Sequence, residues 1–148
     1  MAQVRKGALA IWRFLIPIFF LATIVQVFLA GFGIFRADDE GQNKKFEDAF
    51  EAHVALGFFL QIGTLLLLLL ALIAWTRKDF LLGSFVLAVQ VVILQPLLAG
   101  IGEDTPWVGG LHPVNGFLIV GLSGFLAGRV WGRHRAGAAR REEPVPAP

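Results

Sequence analysis

The chain has 148 residues, 56% hydrophobic and 16% charged, with a mean hydropathy of +0.69, more apolar surface than a soluble core of this length can hide. Thirteen Lys and Arg oppose eleven Asp and Glu for a net charge of +2; the basic residues stand beside apolar segments rather than in one cluster, which excludes a nucleic-acid partner despite a pI near 9.5. There is no cysteine, so disulfides, thiolate metal sites, iron–sulfur clusters and covalent C-x-x-C-H haem attachment are excluded, and any metal would rest on histidine.

A hydrocarbon slab about 30 Å thick needs about 20 mostly apolar residues per spanning helix. Four segments meet that length, approximately Ala8 to Phe35, Phe50 to Thr76, Phe80 to Gly102 and Leu111 to Trp131. The first is too long for a signal h-region of about 7–15 residues and is read as a retained helix. The expected fold is an all-α integral membrane protein, a four-transmembrane-helix bundle. Residues 1–132 form its single domain, and 133–148, rich in Ala, Arg, Glu and Pro, form a disordered cytoplasmic tail that includes His134.

Flanking charge sets the expected orientation. Arg5, Lys6 and Arg13 precede or open the first span, Arg77 and Lys78 join the second and third, and Arg129, Arg133, Arg135, Arg140 and Arg141 follow the fourth. Both termini are therefore expected in the cytoplasm of a bacterial inner membrane. The first loop, with Asp38, Asp39, Glu40, Glu47, Asp48 and Glu51, and the third, with Glu103, Asp104 and an interfacial Trp107, face outward.

The two halves repeat one another. Gln26 to Gly33 and Gln95 to Gly102 both read Q-x-x-L-A-G-x-G; His53-Val-Ala-Leu-Gly57-Phe58 parallels His112-Pro-Val-Asn-Gly116-Phe117; and Thr64 and Ser123 each follow their histidine by eleven residues. Each hairpin, residues 8–76 and 80–131, starts on the same side, so the repeats are parallel and related by an axis along the membrane normal. Helical spacing places His53, Gly57, Leu60 and Thr64 on one face, and His112, Gly116, Ile119 and Ser123 on its counterpart. Gln26, Ala30 and Gly33, with Gln95, Ala99 and Gly102, form matching small-residue stripes. Such stripes either pack helices closely or leave room for a flat cofactor.

Polar groups inside a bilayer are costly and mark function. His53 and His112 stand near the outer ends of their helices, at positions the repeat axis turns toward each other. Two facing imidazoles, an apolar slot and no covalent attachment are the requirements of a b-type haem. Glu51, Glu103 or backbone carbonyls would orient the ligand nitrogens, and Arg36, Lys44 and Lys45 stand where haem propionates would lie. Zinc would want further ligands. Without a ligand, each histidine would instead bond at the interface. Gln26 and Gln95 are expected in interhelical hydrogen bonds, as are Gln61 and Gln90, and Thr64 and Ser123 on their own helix carbonyls. Pro17 and Pro96 are expected to kink their helices.

Gln-x-x-Leu-x-Gly closing one helix, a short outer loop, then His-x-x-x-Gly opening the next resembles haem A synthase over roughly Thr23 to Gly63 and Gln95 to Ser123. That family consists of two four-helix halves, and this chain looks like one of them. It is also similar to small uncharacterised four-helix bacterial membrane proteins sharing His-Pro-Val-Asn-Gly, here His112 to Gly116. The resemblance implies haem ligation by His53 and His112. It departs from the family at Phe50, where the catalytic half carries a glutamate, and in lacking outer-loop cysteines.

The function expected is a membrane b-type haem-binding protein with bis-histidine ligation near the outer leaflet. His53 and His112 are the metal ligands, with Gly57, Gly116, Gln26 and Gln95 beside the cofactor. It would carry electrons, to a quinone or another redox partner, or serve as a subunit of a respiratory or photosynthetic complex. The alternatives are a cofactor-free accessory membrane subunit and a haem-modifying enzyme similar to haem A synthase, with Glu51 as its base.

Overall fold

The computed structural model describes residues 1–39 and 46–139, with side-chain environments for residues 1–37 and 48–132. Among these residues six α-helices and one π-helical segment make four long rods. They are α1 (Ala2–Asp39), α2 (Phe46–Ala74), α3 (Lys78–Ala88) continued through the π segment (Val89–Leu94) into α4 (Gln95–Asp104), and α5 (Pro106–Gly109) followed by α6 (Leu111–Ala139). Four spans are long and apolar enough to cross a membrane, Ala2–Ala37, Asp48–Ala74, Lys78–Asp104 and Pro106–Gly132. The protein is a multi-pass, all-α membrane bundle, as its hydropathy requires.

Helix ends follow local chemistry. α2 stops at Trp75, whose φ of 49° lets Thr76 N–H reach the Ala71 carbonyl at 3.2 Å, the bond that closes a helix through a left-handed residue. Arg5 lies over the exposed Trp75 ring, 5.9 Å from its centroid, tying the start of α1 to this turn. At the other end Thr105, φ −134° and ψ 87°, interrupts the helix, and Pro106 opens α5, where a missing N–H costs nothing. Pro113 occupies the first turn of α6 for the same reason. α6 continues to Ala139, past the domain end expected at residue 132, because Ala and Arg are strong helix formers; the rest of the expected tail, with Arg140 and Arg141, lies outside the described residues.

The two prolines differ in effect. Pro17 stands inside an uninterrupted α1. Pro96 follows the π segment, in which the helix widens so that Gln95 N–H bonds the Gln90 carbonyl five residues back. A proline ring clashes with the carbonyl four residues before it, and one wide turn relieves that clash while turning the following residues on the helix.

α1 packs on α2 and α6, and the third rod packs on the same two helices, so α2 and α6 are diagonal partners. The core lies toward the α2–α3 turn. Trp12, Ile16, Leu67, Leu87 and Leu126 are fully buried there, and Gly83 lets Leu126 approach so closely that a Cβ would stand 2.8 Å from its Cδ2. Asp79 at the start of α3 pairs with Arg129 of α6 at 3.2 Å and with Arg77 at 3.2 Å, a clasp that sequence patterning missed because Asp79 reads as an ordinary helix-start acid. The opposite end is thinly packed, and no residue of α4 or α5 is fully buried.

Two glycines of the repeated motif serve packing. A Cβ on Gly33 would meet the Phe50 ring at 2.9 Å, and one on Gly102 would stand 2.5 Å from the Gly109 Cα. The Gly102 contact is with backbone, which cannot swing aside. Gly102→Ala is therefore expected to destabilise the protein by roughly 2 kcal/mol, read as a lowered thermal midpoint in detergent. Gly100→Ala, whose Cβ would meet nothing within 4 Å, is the matched control.

Candidate functional site

The thinly packed end holds both histidines. From the diagonal helices α2 and α6, His53 and His112 bring their ring centroids to 6.3 Å with planes inclined at 58°. Both are half-buried. Each is held by the preceding rod of its own hairpin: His53 Nδ1 donates to the Gln26 carbonyl at 3.1 Å, and His112 Nδ1 donates to the Gln95 carbonyl at 3.1 Å. A donor at Nδ1 leaves the lone pair on Nε2, the tautomer of an imidazole that binds a metal through Nε2.

The orienting groups are thus backbone carbonyls. The carboxylates Glu51 and Glu103, which the sequence also offered, are exposed at the surface. Lys44 and Lys45 lie outside the described residues, and Arg36 is half-buried near the end of α1.

The glutamines occupy equivalent places with unequal bonds. Gln26 Nε2 donates to the His53 carbonyl at 2.8 Å and lies 3.3 Å from His53 Nε2, the acceptor nitrogen, while Gln26 Oε1 is buried without a hydrogen-bond partner. Gln95 instead accepts at Oε1 from Asn115 Nδ2, 2.9 Å away, and Asn115 Nδ2 also lies 3.2 Å from the Gln90 carbonyl in the π segment. Sequence reading missed Asn115, which stands where the first repeat has Leu56; that one polar-for-apolar difference was the signal available. The interhelical hydrogen bond expected for Gln26 is present, and Gln95 makes its own through Asn115. Gln90 contributes its backbone carbonyl, its side-chain oxygen being buried without a partner.

Glycine one turn after each histidine clears space for these amides. A Cβ on Gly57 would press Gln26 Nε2 at 3.2 Å, whereas one on Gly116 would meet Gln95 Nε2 at 3.6 Å, an ordinary contact. Farther along the same faces, Thr64 Oγ1 bonds the Leu60 carbonyl at 2.5 Å and Ser123 Oγ the Val120 carbonyl at 3.1 Å, as helix hydroxyls do. Thr23 on α1 comes within 3.5 Å of Ser123. These buried hydroxyls close the interior between the histidines and the core.

The donor set suits a metal with nitrogen ligands on two sides. Imidazole nitrogens at about 2 Å on opposite sides of one ion put the ring centres roughly 6 Å apart, close to the separation found. No group of three or more His, Asp or Glu side chains converges among the described residues, so a tetrahedral ion would lack protein ligands. Gly31 and Gly100, next in the motif after Ala30 and Ala99, face open space. Both lie off the stripes of Gln26, Ala30 and Gly33 and of Gln95, Ala99 and Gly102, so what the site offers a metal is the two imidazoles, with the Gln26 amide already beside His53 Nε2.

No match is found among curated proteins or among solved structures. Residues 26–102, just over half of the chain, match the profile of a family of unknown function, DUF6220. That stretch runs from the glutamine that opens the first motif to the glycine that closes the second, and it includes His53 with the Gln26 that holds it. On that match the chain belongs to the DUF6220 family.

Proposed function

We propose that this protein is a membrane b-type haem-binding protein in which His53 and His112 supply the two axial nitrogens, serving electron transfer or acting as a subunit of a respiratory or photosynthetic complex. The observation that carries this reading is the pair of rings 6.3 Å apart, each pinned through Nδ1 to the carbonyl of an equivalent glutamine. Pinned rings lose little freedom on ligation. Haem would supply one-electron chemistry, and two saturated axial positions suit outer-sphere transfer better than oxygen activation.

The resemblance of the glutamine and histidine motifs to one half of haem A synthase supports the same ligands. Basic flanks at the α1 start, the α2–α3 turn and the α6 end support cytoplasmic termini in a bacterial inner membrane, which puts the histidines near the extracytoplasmic leaflet. A quinone or protein carrier arriving from that side would find the thinly packed end of the bundle.

One observation favours a second reading, a cofactor-free accessory subunit. Gln26 and His53 share three contacts, enough to latch α1 to α2 with no ligand. An absorption spectrum separates the two. Protein purified in detergent from haem-replete cells is expected to show a Soret band and, after dithionite, a sharp low-spin α-band. A colourless product would leave the latch as the function of these residues.

A further inference from the structure

The end of the bundle at the α2–α3 turn carries an unbalanced charge. Among the residues with described side chains, Arg5, Lys6, Arg13, Arg77, Lys78 and Arg129 stand toward that end against one acid, Asp79. Asp79 holds two guanidiniums at once, Arg77 Nε on Oδ1 and Arg129 Nη2 on Oδ2, each at 3.2 Å. Arg77 donates a hydrogen bond, whereas Oδ2 is buried with no hydrogen-bond partner, so Arg129 is paired by charge rather than by alignment. One carboxylate cannot neutralise two cations. Each guanidinium offers a fork of N–H donors, and among the described residues most of these forks have no acceptor in the protein.

Arg129 is also held from the side. Its guanidinium carbon stands 5.3 Å from the Phe125 ring centre and 6.0 Å from that of Phe80, an arrangement that attracts a cation to each ring. Phe80 is buried in the core, but Phe125 is 57% exposed, where a membrane bundle meets lipid. Gly121 and Gly128, on the same side of α6 as Phe125 by helical spacing, have no neighbour within 4 Å, so the surface beside that ring is open. The guanidiniums themselves remain accessible, with 61% of the Arg77 side chain and 39% of the Arg129 side chain exposed.

We infer that Arg77 and Arg129 bind the phosphate of an anionic glycerophospholipid in the leaflet at this end, with an acyl chain lying along Phe125. Asp79 offsets the repulsion between the two cations and sets their separation, so little ordering is left to the lipid. Guanidinium forks match phosphate oxygens in geometry as well as charge, and basic pockets at helix ends are where anionic headgroups are recognised. A zwitterionic lipid brings its own ammonium, which the uncompensated positive charge repels. A soluble phosphate would meet the same donors but gain nothing from the exposed ring. The site stands at the opposite end of the bundle from the histidines and is independent of haem.

The test is native mass spectrometry of the full chain in nonionic detergent with added phosphatidylglycerol or phosphatidylcholine, with circular dichroism to verify helix content. Wild-type protein is expected to favour phosphatidylglycerol by roughly fivefold or more. Arg129→Gln should weaken that binding roughly five- to tenfold. Arg77→Gln leaves the Asp79–Arg129 pair in place and should weaken it roughly three- to fivefold, which keeps the inference exposed to refutation if Arg129→Gln loses helix content. Lys6→Gln removes the same charge from an exposed position at the same end and should change it less than about twofold. Equal uptake of the two lipids would overturn the inference, as would equal losses in Lys6→Gln and the arginine variants, which would mark a general surface field. Displacement of phosphatidylglycerol by excess glycerol 3-phosphate would overturn the lipid assignment in favour of a soluble phosphate ester.

Discussion

On the haem reading proposed above, replacing His53 and His112 together by alanine is expected to abolish haem retention while the bundle still folds. On that reading the two side chains would supply both axial nitrogens, since no third His, Asp or Glu converges there among the described residues. Their structural share is small by comparison. His112 gives up its Nδ1 bond to a backbone carbonyl and His53 its Nδ1 bond and the Gln26 amide at Nε2, and interhelical hydrogen bonds in membranes are worth about 0.6–1.7 kcal/mol. Single variants should each convert the six-coordinate low-spin spectrum to five-coordinate high-spin or remove it. The measurement is the ratio of Soret to protein absorbance after detergent purification, with circular dichroism to verify helix content. An unchanged low-spin spectrum in either single variant would refute that histidine as a ligand.

Trp12→Ala is expected to cost about 3–5 kcal/mol of stability, the range for truncating a large buried aromatic. Trp12 has no exposed surface, its ring centroid lies 5.1 Å from that of Phe80, and its indole N–H donates to Ser84 Oγ at 3.1 Å, joining α1 to α3. In a bilayer lipid tails compete with apolar contacts, so the loss comes from dispersion in a close-packed interior and from a hydroxyl left without its donor. Trp12→Phe keeps most of the volume and should cost only about 1–2 kcal/mol. Unfolding in mixed micelles reads both. The other three tryptophans, Trp75, Trp107 and Trp131, are largely exposed, so the buried fluorescence signal reports on Trp12 alone. A loss below about 1 kcal/mol for the alanine variant would show that the α1–α3 contact is not part of the stable core.

Hydropathy was enough for the number and approximate position of the spans, because the length of a membrane helix is imposed by the slab it crosses. Boundaries were less legible. α1 reaches Ala2 and Asp39, where charged residues can continue a helix into water at little cost, so apolarity ends before helicity does. The site was legible as composition: the histidine, glutamine and glycine recurring in order marked the residues that meet, and the faces read from helical spacing place Leu60, Thr64, Ile119 and Ser123 in the interior, all of them buried.

What the sequence by itself determined, then, is a four-span membrane bundle with two histidine-bearing hairpins, because span length and helical period are properties of the chain read one segment at a time. Only the tertiary structure decided that the imidazoles are held by backbone carbonyls rather than by Glu51 and Glu103, that the third rod takes a π turn before Pro96, and that Gln26 and Gln95 are bonded differently. Those outcomes depend on which groups from separate rods come within about 3 Å of each other, a distance that one side chain across the bundle, Asn115 in place of Leu56, is enough to reassign.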